Sequence, residues 1–88
     1  MTIPGKHIVK VSASWCGPCR TLSSMIQELD DELKQPFIEI DVDEAEPDLI
    51  DLLHVRNVPL LIFYKGSEEV LRSVGGLTKE ELIKLINK

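Results

Sequence analysis

The pattern of apolar and polar residues in the first part of the chain predicts a strand followed by a long helix. An apolar, largely β-branched run from His7 to Ala13 is typical of a strand covered on both faces, although Lys10 interrupts it. After Pro18, acidic and other polar residues separate apolar ones that recur at helical spacing, and these are Leu22, Met25, Ile26, Leu29 and Leu33. The spacing predicts an amphipathic helix, which Pro36 ends.

The pattern then changes to shorter elements. Alternating residues at 37–42 predict a second strand, and Pro47 fits the first turn of a short helix that we expect to run roughly to His54. Two further apolar or alternating runs, at 60–64 and 69–74, are joined by a turn that contains Gly66. They predict a β-hairpin.

The last element is a helix with a clear start. Thr78 and Glu81 have the spacing of a capping box, so the helix should begin near Lys79. The complete order is βαβαββα. It predicts an α/β fold with a four-stranded mixed sheet flanked by three helices, in which the first two strands are parallel and the hairpin adds antiparallel strands.

Length and charge narrow the classes of function. The chain has 88 residues, of which 43% are hydrophobic, so we expect residues 1–88 to form a single domain. A formal charge of -5 disfavours direct binding to nucleic acid or to an anionic membrane surface. No apolar run approaches the roughly 20 residues of a membrane helix. The first residues do not resemble a signal peptide, and we therefore expect a cytoplasmic protein.

The chemistry of the chain is concentrated in its only two cysteines, in the segment Trp15-Cys16-Gly17-Pro18-Cys19. This segment lies where the first strand ends and the first helix begins. The positive end of the helix dipole lowers the pKa of a thiol there from about 8.5, which favours Cys16 as a nucleophile. Cys19, one turn inside the helix, is placed to resolve a mixed disulfide formed at Cys16. Pro18 stiffens the small ring and favours a reducing disulfide.

Other interpretations of the pair remain. A disulfide that closes a four-residue loop stabilises a fold by only roughly 1.9 kcal/mol, so a purely structural disulfide is disfavoured. The two thiols would also be inert if both were simply buried. Zinc is disfavoured because neither His7 nor His54 has a metal-site spacing to the cysteines. We expect no metal and no cofactor.

The sequence resembles the thioredoxin family. The cysteine segment, followed by Arg20, is similar to the thioredoxin active-site motif, and the similarity extends from about Ile8 to Asn87. Val58-Pro59 matches the cis-proline element of the family, and Gly75-Gly76 matches its glycine-rich break. The order of these features makes the resemblance specific.

The resemblance implies a thiol–disulfide oxidoreductase that reduces disulfides in partner proteins. Cys16 would attack the substrate disulfide, Cys19 would resolve it, and a thioredoxin reductase or an equivalent donor would restore the dithiol. Pro59 would have a cis peptide bond, and Val58 would offer its backbone to an extended substrate. A flat docking surface would be completed by Trp15, Gly75 and Gly76. We expect the protein to act as a monomer.

The chain departs from the family in two respects. The strand that leads to the cysteines starts only about seven residues into the chain, so the usual N-terminal strand and helix should be missing. Lys10 stands where thioredoxins have a buried aspartate, and Glu39 stands where they often have a lysine. Our hypothesis is a charge-swapped pair. Glu39 or an uncharged Lys10 would accept the Cys19 proton, or a charged Lys10 would stabilise a thiolate and weaken the reductant. Alternatively, Lys10 extends to solvent and has no catalytic role.

Two alternative functions are compatible with these residues. The short architecture would suit a glutaredoxin-like reductase that uses glutathione, although the usual Pro-Tyr between the cysteines is absent. The domain would otherwise serve as a binding subunit that contacts another enzyme through the surface around Trp15, Val58 and Gly75.

Overall fold

The structure is a computed structural model that describes residues 5–33 and 36–87, with the side chains of 30–33 outside the description. The predicted core position Leu33 is among those side chains. The element order agrees with the sequence prediction, and the elements are β1 (Lys6–Ser12), α1 (Gly17–Leu33), β2 (Phe37–Asp41), α2 (Pro47–Leu52), β3 (Leu60–Lys65), β4 (Glu68–Val74) and α3 (Lys79–Ile86).

The four strands form one mixed sheet in the order β2-β1-β3-β4. β1 is parallel to β2, and the β1–β3 and β3–β4 pairs are antiparallel. Side chains alternate between the two faces of each strand. Ile8 therefore packs with α1 and α3, whereas Val9 packs on the opposite face with residues that follow α2. The predicted α/β architecture is confirmed.

The predicted boundary of α2 is wrong by two residues. The helix ends at Leu52 because Leu53 is its C-cap and His54 has a left-handed backbone with φ of 55°. Leu53 and Val55 both pack against the Val9 face of the sheet. Residues two apart point to different sides of a helix, so a continued helix would not place both there. The capping box of α3 is present as predicted, with Thr78 and Glu81 bonded in both directions.

Candidate active site

The two cysteines form a disulfide at the junction of β1 and α1, with their Cα atoms 5.2 Å apart. Cys16 directly precedes α1, and its Sγ accepts a hydrogen bond of 3.2 Å from the backbone N–H of Cys19. An N-cap side chain occupies this position, where helix amides otherwise lack partners. The amide and the helix dipole both favour negative charge on the Cys16 sulfur. The local geometry therefore suits Cys16 as a nucleophile.

The loop before β3 packs against the cysteines. The peptide bond between Val58 and Pro59 is cis, as the resemblance implied, and Val58 contacts the cluster formed by Ala13 and the cysteine pair. The backbone N–H of Gly75 donates to the Pro59 carbonyl at 2.8 Å. The φ of Gly75 is 91°, in the region that favours glycine. The fold thus brings Val58 to the cysteines and Gly75 to Pro59.

Trp15 lies beside this loop with 66% of its surface exposed. Its Nε1 donates to Asp43 Oδ2 at 3.1 Å, which fixes the indole against the segment after β2. Trp15 and Val58 line one groove of about 390 Å³. Gly76 lies in a second groove of about 450 Å³, together with Pro18. Of the expected docking residues, Trp15 and Val58 therefore share one groove and Gly76 lines another.

Lys10 is buried and paired. Its side chain is 4% exposed, and its Nζ donates to Glu39 Oε1 at 3.0 Å. The two residues are direct neighbours in the parallel β1–β2 register. The hydrogen bond from Lys10 holds the pKa of Glu39 below its ordinary value. Because the Glu39 side chain is 65% exposed, only the lysine of this pair is buried. The alternative in which Lys10 extends to solvent is wrong.

Two serines complete the polar network, and the sequence analysis did not single out either. Ser12 Oγ donates to Glu39 Oε1 at 3.2 Å. Ser23 Oγ accepts a hydrogen bond from Lys10 Nζ and donates to the Cys19 carbonyl at 3.0 Å. The available signal for Ser23 was its place in α1, four residues after Cys19, beside the apolar stripe of the helix. The network connects the buried lysine with the backbone of the second cysteine.

The structure also bears on metal binding and on membrane-spanning helices. Among the side chains that the structure describes, those of residues 5–29 and 36–87, no group of three His, Cys, Asp or Glu side chains is arranged to hold a metal ion. None of the helices in the described part of the chain is long and apolar enough to cross a membrane.

The fold and the site together define a thiol–disulfide oxidoreductase, because a Cys-Gly-Pro-Cys disulfide at a helix start lies beside a cis-proline loop. The thioredoxin family model matches residues 3–88, and the chain belongs to the thioredoxin family. It is 39% identical to a thioredoxin of Chlamydia muridarum, over 96% of this chain and 82% of that protein. It is 40% identical to a thioredoxin of Bacillus subtilis, over 99% of this chain and 85% of that protein.

Solved thioredoxin structures have the same fold. A mutant thioredoxin from Halobacterium salinarum matches with a TM-score of 0.86 and 31% identity, over 96% of this chain and 74% of that chain. A reduced thioredoxin from Schistosoma mansoni matches with a TM-score of 0.84 and 27% identity, over 96% and 78%. The protein is accordingly a protein-disulfide reductase.

Proposed function

We propose that Cys16 is the attacking nucleophile and Cys19 the resolving thiol of this reductase. The hydrogen bond from the Cys19 amide to Cys16 Sγ carries this assignment, because it directs a helix-terminal donor at one sulfur of the pair. The Cys16 thiolate attacks a substrate disulfide, forms a mixed disulfide and releases the first substrate thiolate. Cys19 then attacks Cys16 Sγ and releases the second. Two electrons pass to the substrate, whose two thiolates take up protons.

The substrate-binding residues in this proposal are Val58, Pro59, Trp15, Gly75 and Gly76. The exposed indole, the groove it shares with Val58 and the contact of Val58 with the cysteines support this role. An extended substrate segment would pair with the backbone at Val58. Gly17 and Pro18 complete the ring that separates the two sulfurs.

Lys10 and Glu39 tune the thiols in this proposal. The buried ammonium lies one hydroxyl away from the Cys19 backbone, which supports an electrostatic role for Lys10. Glu39 balances the buried charge from the edge of the sheet. A charged Lys10 stabilises thiolate and makes the protein a weaker reductant than it would be with an apolar residue at this position.

The cellular setting is proposed from the family. The protein acts in the cytoplasm as a monomer, passes electrons from a thioredoxin reductase to disulfide-containing proteins and contributes to thiol homeostasis. It uses no cofactor of its own.

The test is reduction of a protein disulfide such as that of insulin, with thioredoxin reductase and with glutathione as separate electron sources. We expect turnover with the reductase and none after Cys16→Ser. Cys19→Ser should accumulate the mixed disulfide with substrate. Turnover with glutathione alone would instead support the glutaredoxin-like function. Binding to a partner that survives replacement of both cysteines by serine, without reductase activity in the unsubstituted protein, would support the binding-subunit function.

A further inference from the structure

Ser23 connects the second cysteine to the buried ammonium. Its hydroxyl donates to the Cys19 carbonyl at 3.0 Å and also contacts Lys10 Nζ. A hydroxyl has one proton to donate. Because that proton is directed at Cys19, the lone pairs of Ser23 Oγ face Lys10, and Lys10 is the donor in their contact.

The remaining neighbours of the Lys10 amine also suit its protonated form. On β2, Glu39 Oε1 accepts from both Lys10 and Ser12, and the hydrogen bond from Lys10 holds the pKa of Glu39 below its ordinary value, which favours the carboxylate. On β3, the register neighbour is Leu61, which is apolar and buried. Acceptors thus face the nitrogen from α1 and from β2, and a buried cation requires such partners.

We propose that Ser23 is a positioning residue for the redox reaction. It holds the Lys10 ammonium one hydroxyl away from the backbone of Cys19, where the positive charge stabilises the thiolate that Cys19 forms when it resolves the mixed disulfide. This role rests on the functions proposed above for Cys16, Cys19 and Lys10. Without the Ser23 hydroxyl, Lys10 keeps its bond to Glu39 and is drawn toward the exposed edge of the sheet, away from Cys19.

The test measures the ionisation of Cys19 alone. In the full chain with Cys16→Ser, the rate of alkylation by iodoacetamide is followed against pH. The plateau at high pH measures access of the reagent, and the midpoint measures ionisation. We expect Ser23→Ala to raise the midpoint, with about fivefold slower alkylation at neutral pH as the charge moves away. Ser23→Thr, which retains a hydroxyl, should restore the profile.

Two controls isolate the role of the hydroxyl. Ser24→Ala makes the same change at an exposed neighbour in α1 and should leave the midpoint unchanged. In a Lys10→Met background, Ser23→Ala should have no further effect, because the cation that it positions is absent. Alanine is a stronger helix former than serine, so the variant should fold. Ser23→Val, compared with Ser23→Thr, provides a second pair that differs only in the hydroxyl.

Two results would overturn the proposal: an unchanged midpoint in both Ser23→Ala and Ser23→Val, or an equal shift in the Lys10→Met background. Insulin reduction by the protein with both cysteines is measured in parallel. If that protein is inactive, the proposed function fails. If it is active and the midpoint does not move, only the role of Ser23 fails.

Discussion

Neutralising Glu39 should destabilise the fold, whereas neutralising its partner Lys10 should not. The Lys10 side chain is 4% exposed and that of Glu39 is 65% exposed. After Lys10→Met, the remaining carboxylate is hydrated and retains its hydrogen bond from Ser12. After Glu39→Gln, the ammonium stays buried opposite a neutral amide. The free energy of unfolding should therefore fall in Glu39→Gln, which leaves the buried charge without its counterion.

The expected magnitude follows from these exposures. Removing one partner from a fully buried ion pair costs about 3–5 kcal/mol. Here water reaches the glutamate, the glutamine oxygen still accepts from Lys10, and Ser23 remains a second acceptor. The difference between a charged and a neutral acceptor is about 1 kcal/mol, which is our expectation for Glu39→Gln. Replacing a buried ion pair with apolar side chains is often neutral or stabilising, because no buried charge is left behind. Lys10→Met likewise leaves only the exposed Glu39 carboxylate, so it should change stability by between zero and a gain of about 1 kcal/mol.

Urea unfolding at pH 7 with the disulfide intact, followed by circular dichroism, measures both effects. With m of about 1–3 kcal/mol/M, a loss of 1 kcal/mol lowers the unfolding midpoint by about 0.3–1 M. Glu44→Gln removes an exposed carboxylate from the loop after β2 and serves as the matched control, with no expected change. A larger fall of the urea midpoint in Lys10→Met than in Glu39→Gln would refute the explanation from the unequal burial of Lys10 and Glu39.

Three further predictions concern pH, helix capping and substrate docking. Lys10 lowers the pKa of Glu39 in the folded protein, so the stability gained from this group is present above its unfolded pKa of about 4.3 and is lost as pH falls through the folded value. Folding stability measured against decreasing pH should show this loss, and Glu39→Gln should reduce the slope of stability against pH. Thr78→Ala should cost about 1 kcal/mol in urea unfolding because Thr78 and Glu81 form a capping box, and an equal loss in Thr78→Ser would contradict this explanation. Trp15→Ala should slow insulin reduction but not reduction of a small aromatic disulfide, and equal slowing with both substrates would argue against a docking role. Because the indole is 66% exposed, the substitution should change stability by less than about 0.5 kcal/mol.

Features that depend on residues close together in the chain were predictable from the sequence. The cysteine segment, the capping box at Thr78 and the turn at Gly66 each involve only a few consecutive residues. The end of α2 was not predictable from the sequence, because the left-handed residue that ends the helix is His54 rather than a glycine. That boundary depends on how Leu53 and Val55 pack against a strand more than forty positions earlier.

The sequence by itself determined which chemical groups this protein has: two cysteines at a helix start, and a lysine and a glutamate on neighbouring strands in place of the family's acid and lysine. Tertiary structure decided how differently these two charged side chains are exposed to solvent. β1 lies inside the sheet beneath α1, so Lys10 is buried, whereas β2 is an edge strand in the part of the chain that the structure describes, so Glu39 remains in water. The same crossing of α1 over β1 brings Ser23 to Lys10, thirteen positions away in the chain. Burial and partner choice at this site depend on strand order and helix position, which spacing along the chain does not specify.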